Sequence, residues 1–423
     1  MQDSSSSLKF AGDVQIKEVQ LNSLNGQVAN VTAQVVSIEI YEDLFSPFIT
    51  ISIVLQESVD YINLFPFTGE EFVDLTIVTP SMETPITGRF YIYKITDRDY
   101  TREKEVVYAI KAVSEEFLTD ANTKIAKSFA GNVAEIAQKL LGKDGYNTKK
   151  KVHIEQTTNT TKFVANYWSP SKCLSYAATN SANATQSPTY LFYENRDGFN
   201  FRSIDELLKN KAYATFIKDN YTRTTESDGV DSIKDPKEDY KRIIDFSIPV
   251  LTDYMNDIQN GRMKSRMISH DLVTKKYAVK DYSIKTDKLP TTLLNPNPAY
   301  SKYTSANAAS TIVFMPKHYG NFNNFTDVTT HKYYQKRLSF FQNLNKYKAT
   351  MQVLGRSDYT VGQVVDVYIP KATQLTKEDQ DPRDQILSGR YLVSAISHSI
   401  TRKNHVCNLE IIKNSVLTDL SKG

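Results

Sequence analysis

The sequence predicts a mainly β fold with an α+β part: two similar small antiparallel β-barrels, an α+β domain between them and a small insertion subdomain. Three observations carry that expectation. From Thr350 to Ile412 apolar residues alternate with polar ones at period two, as in Met351 with Val353, Val365 with Val367 and Ile369, and Cys407 with Leu409 and Ile411. Gly and Pro punctuate the run, which reads as four antiparallel strands. The same arrangement occurs near the N-terminus, in SPFITISIVLQ, FTGEEFVDLTIVTP and TGRFYIYKITDRDYTREKEVVYAIKAV. Between the two copies the apolar period lengthens to that of a helix.

The two copies align residue by residue. Gly88 and Gly389, Arg89 and Arg390, Ile95 and Ile396, and Ile110 and Ile411 coincide at one offset of 301, without a gap across the last hairpin. Upstream, Val73-Asp74-Leu75 answers Val365-Asp366-Val367, and Val54-Leu55 answers Val353-Leu354. The loops differ, with 14 residues from Asp74 to Gly88 and 23 from Asp366 to Gly389. Insertion in a surface loop between retained strands is what a duplicated unit shows. The plainer alternative is two hairpins sharing a Gly-Arg-aromatic entry by chance.

In chain order, residues 1–12 are Ser-rich, without periodicity, and read as disordered. The first barrel, 13–113, gains two strands from NVTAQVVSIEIYEDLFSPFITISIVLQE, joined at the Asp43 to Pro47 turn. That makes about six short strands, and closing them removes exposed edges. The α+β domain, 114–235, opens with NVAEIAQKLLG, where Val133, Ile136, Ala137, Leu140 and Leu141 share a helix face, Asn132 is the N-cap and Gly142 the stop. A second helix starts at Ser169-Pro170. Two aromatic-rich strands then flank Asn195-Arg196-Asp197-Gly198, a hairpin signal. The second barrel, 236–288 and 331–416, is interrupted, with its opening strands around an Asn260-Gly261 turn. Residues 289–330, rich in Asn, Pro and Tyr, read as the insertion subdomain. A helix over Lys332 to Asn343, with Tyr334, Leu338 and Phe341, leads back to the final strands, and 417–423 is a C-terminal tail.

Composition narrows the function classes. A net charge of +3 over 423 residues gives no long-range pull on nucleic acid or anionic lipid. Cys173 and Cys407, the two cysteines, read as small buried hydrophobes in a reducing compartment. The opening MQDSSSS has no apolar signal segment and no run approaches the roughly 18 apolar residues of a membrane span, so no membrane insertion is expected. The run Lys149-Lys150-Lys151 reads as a solvated loop.

Catalytic motifs are missing from the text. Of His153, His270, His318, His331, His398 and His405, no two stand at HxxxH spacing and none adjoins a Cys pair, so no metal ligands are assigned. His398 and His405, in or beside the last hairpin, read as surface strand residues. No GxSxG, P-loop or GxGxxG occurs, which leaves catalytic and cofactor-binding residues unassigned and no cofactor expected. Glu70-Glu71, Glu115-Glu116 and the group Asp379, Asp381 and Asp384 are the acidic candidates for glycosidase chemistry, which needs two carboxyls across a cleft. Their simpler reading is helix N-terminal charge or solvated loop.

The order barrel, helix-plus-hairpin domain, interrupted barrel, with FTGEEFVDLTIVTP, TGRFYIYKITD, YENRDGFNFRSI and SGRYLVSAISHSI, resembles the baseplate hub protein of contractile-tailed phages and the base of the type VI secretion spike. The likeness runs from about Val31 to Ile412. It implies a non-enzymatic homotrimer in the virion tail baseplate, assembled in the host cytoplasm, whose six barrels form a pseudo-sixfold ring. It also implies partners: the trimeric central spike, hexameric tail tube or tube-initiator proteins, and baseplate wedge proteins, with the tape-measure protein and DNA passing through the lumen. A tail-associated peptidoglycan or polysaccharide hydrolase and the hub of a phage-derived injection machine are the alternatives.

Overall fold

The structure is a computed structural model that describes residues 10–59, 61–64, 67, 69–80, 82, 84–102, 105–218, 236–250, 253–271, 275, 277–287, 292–300, 311–317, 330–372 and 381–421. The N-terminal half consists of β1 (Gln15–Asn22), β2 (Val28–Asn30), β3 (Val35–Asp43), β4 (Thr50–Glu57), a turn of helix α1 (Tyr61–Leu64), β5 (Phe72–Val78), β6 (Ile86–Arg102) and β7 (Glu105–Val113). Alternation decides which face each strand buries. In β5, Val73, Leu75 and Ile77 are buried while Phe72, Asp74 and Thr76 are half-exposed. The inward residues of β1, β3, β4, β5, β6 and β7 meet in one apolar cluster, so the sheet curls around it.

The C-terminal strands β19 (Tyr347–Leu354), β20 (Val364–Tyr368), β21 (Gly389–Thr401) and β22 (His405–Lys413) repeat that ladder. As β5 pairs β6, β6 pairs β7 and β7 pairs β4, so β20 pairs β21, β21 pairs β22 and β22 pairs β19, all antiparallel. The registers match at the entry: Asp74 faces Arg89 and Leu75 faces Gly88, as Asp366 faces Arg390 and Val367 faces Gly389. A bulge falls at the same place in both, between Ile92 and Lys94 and between Val393 and Ala395.

Two alignments read from the sequence need correction. Ile95 faces Ile110, whereas Ile396 faces Leu409, so the return strand runs at an offset of 299 rather than 301. The coincidence of Ile110 with Ile411 is numerical. Extra bulges in β6, one of them at Asp97 with φ 58°, lengthen the first hairpin. Likewise Leu55 faces Tyr108 where Val353 faces Cys407, so Leu55 corresponds to Val353, not to Leu354. A slip of one residue exchanges the faces of a strand, and the buried sets Ile51, Ile53, Leu55 and Ala349, Met351, Val353 fix the true register.

The expectation of two closed barrels is also corrected. Among the described residues no continuous ladder closes either half, although in the second a single bridge, Ile217 with Arg242, links the end of β13 (Ala212–Ile217) to the entry of β14 (Ile243–Ser247). With β14, the strands form one sheet ordered β14-β19-β22-β21-β3-β4-β7-β6-β5-β1-β2, from which β13 branches parallel to β20. The reason lies in one pairing. The edge of β3 is spent on β21 of the other half, Ser37 to Asp43 against Thr401 to Ala395, and not on its own. Two separate apolar cores result from a single continuous sheet.

The middle segment opens with α2 (Glu115–Asn122) and packs a third core from β8 (Ile125–Asn132), α3 (Val133–Leu141), β9 (Val152–Ile154), β10 (Thr160–Trp168), α4 (Pro170–Thr179), β11 (Tyr190–Asn195) and β12 (Gly198–Ser203), with α5 (Ile204–Leu208) following. Asn132 caps α3 through Ala134 N at 2.9 Å, Ser169 caps α4, and Asn195 faces Gly198 across the hairpin. After α6 (Pro236–Asp239), only β14 of segment 236–288 enters the large sheet. Beyond α7 (Tyr254–Gln259), β15 (Lys264–Asp271) instead pairs β16 (Tyr277–Ser283) on one side and β18 (Thr311–Lys317) on the other in a three-stranded sheet, while β17 (Asn297–Pro298) pairs β23 (Ser415–Val416).

Helix α8 (Thr330–Leu344) buries Gln335, Ser339, Phe340, Asn343 and Leu344, while the expected Phe341 is partly buried against the second core and Tyr334 and Leu338 are half-exposed. Its polar residues are buried because they satisfy strand backbone. Gln335 donates to the Ser265 and Lys280 carbonyls at 2.9 and 3.1 Å, and Ser339 to that of Arg262 at 2.7 Å.

Candidate functional site

The surfaces that distinguish this molecule are strand edges. Where the two halves join, β3 runs against β21 and the joint carries polar locks. Glu42, fully buried, accepts from Thr360 Oγ1 at 2.5 Å and Val361 N at 3.2 Å. Loss of water around it pushes its carboxyl up to about 7, with those two donors opposing. Thr79 Oγ1 accepts from Ser357 N at 2.9 Å, and Arg402 reaches back to the carbonyls of Val35 and Ala33. The apolar exchange is reciprocal: Ile400 of β21 sits in the first core and Leu44 sits in the second.

The duplication creates a second, unfilled version of that joint. Strand β14 stands to β19 as β3 stands to β4, down to a register shift that places Ile243 and Phe246 where Val35 and Ile38 lie. Yet β3 has a partner on each edge, whereas among the described residues β14 ends the sheet, its other side met only at its entry by the Ile217–Arg242 bridge and by Lys218, whose Nζ donates to the Ile244 carbonyl. Strand β6 corresponds to β21. Past Ile92, whose N donates to the Glu71 carbonyl at 2.9 Å, β6 pairs only β7 among the described residues and no strand lies on its other edge. Lys94, Asp97, Arg98 and Asp99 are exposed there, the kind of charge that keeps an open edge from indiscriminate pairing. Tyr93 and Tyr100 are exposed as well.

The entry ion pair is repeated with different strength. Arg89 clasps Asp74 through two bonds of 2.8 Å and lies 4.0 Å over the Phe72 ring, while Arg390 approaches Asp366 at 3.7 Å and spends Nη2 on the Asn210 carbonyl.

The acidic candidates do not assemble a cleft. Glu70 is exposed while Glu71 is buried and accepts from Gly69 N at 2.8 Å. Asp379 lies outside the described residues, Asp381 pairs with Arg383, and Asp384 accepts from Ile386 N and Leu387 N. Glu116 and Glu194 do converge, but on Lys150, at 2.6 and 2.7 Å from its Nζ. Lys150 is therefore not in a solvated loop as its sequence suggested. Burial pushes the ammonium pKa down, and the charges of Glu194 and Glu116 outweigh that and raise it. Glu194 also takes Ser114 Oγ at 2.5 Å and Ile49 N at 3.0 Å, which fastens the middle domain to the N-terminal half. A buried, cation-neutralised pair of this kind is a structural tie. The open depression beside α3 is lined by Glu135, Gln138, Lys139, Gly142, Lys143 and Asp144, with no Ser, Cys or His to act as a nucleophile or base.

Besides Lys150, three further residues were misplaced or missed by sequence. His398 and His405 are buried, not on the surface, and they touch Cys407; burial lowers the His398 pKa to about 4 and that of His405 well below its ordinary value. Lys413 is buried beneath the Tyr391 and Tyr347 rings, donating to the Ile386 and Ser388 carbonyls, and burial lowers its pKa to about 7. The strict alternation of HVCNLEIIK carried the signal for the histidine and cysteine, since residues 405, 407, 409 and 411 share the inward face.

No protein-family model matches the chain, and no curated protein does. Solved structures do. A tail protein from Neisseria meningitidis MC58 superposes with a TM-score of 0.55 at 12% identity, covering 96% of this chain and 97% of its own. The tail protein of prophage MuSo2 from Shewanella oneidensis gives 0.54 at 10% identity, over 94% and 98%. Over nearly its whole length, this chain shares its fold with these two tail proteins.

Proposed function

We propose that this chain is a non-enzymatic structural hub of a contractile phage tail baseplate, a homotrimer whose six half-units form a pseudo-sixfold ring between the hexameric tail tube and the trimeric central spike. One observation carries the reading: the joint between β3 and β21 inside the chain has a counterpart in β14 and β6, and among the described residues no strand pairs the outer side of β14 beyond the Ile217–Arg242 bridge at its entry, or that of β6 beyond Ile92. Pairing β14 of one copy with β6 of the next is a head-to-tail contact, and such contacts close into rings. Three copies then alternate internal and intermolecular joints six times. The shared fold with two tail proteins supports the virion tail as the location. Wedge proteins at the periphery, and a lumen that passes the tape-measure protein and DNA, are what the resemblance to baseplate hubs implies for such a ring.

The register of the open joint follows from the filled one. Ser399 faces Glu39 and Ile400 faces Ile38. Their counterparts are Asp99 with Ser247 and Tyr100 with Phe246, since Asp99 faces Val107 as Ser399 faces Val406. Oxidation of the full chain carrying both Asp99→Cys and Ser247→Cys should give a non-reducing ladder ending at three copies, with neither single variant doing so. Native mass spectrometry of the unmodified chain should show the trimer, alone or with its spike. A ladder running past three sinks the closed ring, and a chain that stays monomeric with the spike present sinks the hub.

A further inference from the structure

The last hairpin holds a group of side chains that ring assembly does not use. Its register sets His398 opposite Cys407 and Ile400 opposite His405. His398 Nδ1 lies 3.0 Å from His405 Nε2, and Cys407 Sγ lies 3.3 Å from the first and 3.5 Å from the second. All three residues are at most 1% exposed. Among the described residues the outward nitrogens, His398 Nε2 and His405 Nδ1, find no hydrogen-bond partner of good geometry, although a buried polar atom left so costs about 1–3 kcal/mol.

The fold does not require these residues. Across the duplication, Cys407 and His405 occupy the positions of Tyr108 and Val106, and there the first half is content with an apolar residue and a tyrosine bonded to Glu57 at 3.0 Å. Room has also been made for the His405 ring. A Cβ on Gly355 would stand 2.2 Å from its Cδ2. Two imidazole nitrogens and a sulfur that converge in a dry core, where a repeat of the same fold does without them, are a ligand set.

The geometry points to a metal site at His398 Nδ1, His405 Nε2 and Cys407 Sγ, taking a thiophilic divalent cation of the zinc class. The point equidistant from the three atoms lies about 1.9 Å from each, so an ion at the usual 2.0–2.3 Å sits just out of their plane with little movement of the side chains. Mixed nitrogen and thiolate donors select zinc over magnesium or calcium. Binding forms the sulfur–metal bond as the Cys407 thiol releases its proton to solvent. Asp358 and Glu42 do not supply a fourth ligand. Asp358 is held by Arg356 and by Tyr213 at 2.5 Å, and Glu42 by Thr360 and Val361.

The ion would act as a staple. His405 N donates to the Gly12 carbonyl and its own carbonyl accepts from Gly355 N, while His398 faces Ile40 of β3. A metal there fastens the hairpin tip, the start of the chain and the joint between halves at one point.

The test uses the untagged full chain, stripped with a chelator and titrated with cobalt(II) and then zinc(II). One ion per chain and a thiolate-to-cobalt charge-transfer band are expected in the wild type and in Cys173→Ser. Cys407→Ser should lose the band and bind zinc more than 100-fold more weakly, beyond the ~10–100-fold cost of losing an outer partner. A stripped wild type that takes up no cobalt overturns the site, whether or not the variant folds. So does a Cys407→Ser protein that keeps the band.

Discussion

The two halves of this protein share a ladder and a register, and they differ at one end of one strand. In the C-terminal half, the outer edge of β21 is covered by β3, and Ile400 is fully buried in the other half's core. In the N-terminal half, the corresponding stretch of β6 is bulged, charged and uncovered, and Tyr100, which stands where Ile400 does, is 68% exposed. The same strand has thus been put to two uses. One copy holds the chain together, and in the proposed ring the other offers its backbone donors and acceptors to a neighbour. A duplicated unit whose joints were all filled internally would have nothing to assemble with.

The comparison is most sharply tested by shortening both side chains. Ile400→Ala should destabilise the chain by about 2–5 kcal/mol, since it leaves a cavity in a packed core. Tyr100→Ala should change the stability of the unassembled chain by less than about 0.5 kcal/mol. It should nevertheless reduce trimer formation, because in the proposed ring Tyr100 faces Phe246 of the next copy. Urea unfolding and native mass spectrometry on the same two variants separate the roles. Equal losses of stability would show that the two strand ends are not distinguished by burial.

A second contrast concerns pH. Glu42 has a raised carboxyl pKa in the folded chain, about 7 against an ordinary 4.5. A group whose folded pKa is raised contributes stability that is fully present below its unfolded value and lost as pH climbs through the folded one. Between about pH 4.5 and 7 the joint should therefore weaken by about 1–3 kcal/mol from this residue. Lys413 has the opposite sign, its pKa lowered to about 7, so its contribution is lost as pH falls through 7. The difference between wild type and Glu42→Gln isolates the carboxyl. That difference should grow in favour of the glutamine variant from pH 5 to pH 8. A flat difference would mean that Glu42 stays ionised throughout.

Much of this architecture was legible in the text because alternation and turn residues are local. The strands of both halves, the Asn132 and Ser169 caps and the Asn195 to Gly198 hairpin all follow from neighbours in sequence. Identity at a fixed offset was a weaker guide. It equated Ile110 with Ile411 and Leu55 with Leu354, and only backbone pairing showed the bulges that shift each. Nor could alternation say which edge meets which. That β3 pairs with β21, some 350 residues away, depends on how two curled sheets meet. The burial of Lys150 and of His398 has the same origin, since partners such as Glu116, Glu194 and Cys407 are brought in by tertiary structure.

The smallest effect belongs to the most visible motif. Gly-Arg-aromatic opens β6 and β21 alike, and its arginine faces an aspartate in both. Both pairs are largely solvent-exposed, and exposed ion pairs contribute about 0.2–1 kcal/mol. Arg89 has two good bonds to Asp74 and a ring beneath it, whereas Arg390 stands 3.7 Å from Asp366. A double-mutant cycle over Asp74 and Arg89 should give a coupling near the top of that range, falling in high salt. The cycle over Asp366 and Arg390 should give a value close to zero. Equal couplings would mean that the pair was kept in both halves for its energy. The unequal outcome would mean that the second copy retains the residues while its arginine has been turned toward the Asn210 carbonyl and the chain leading into β13.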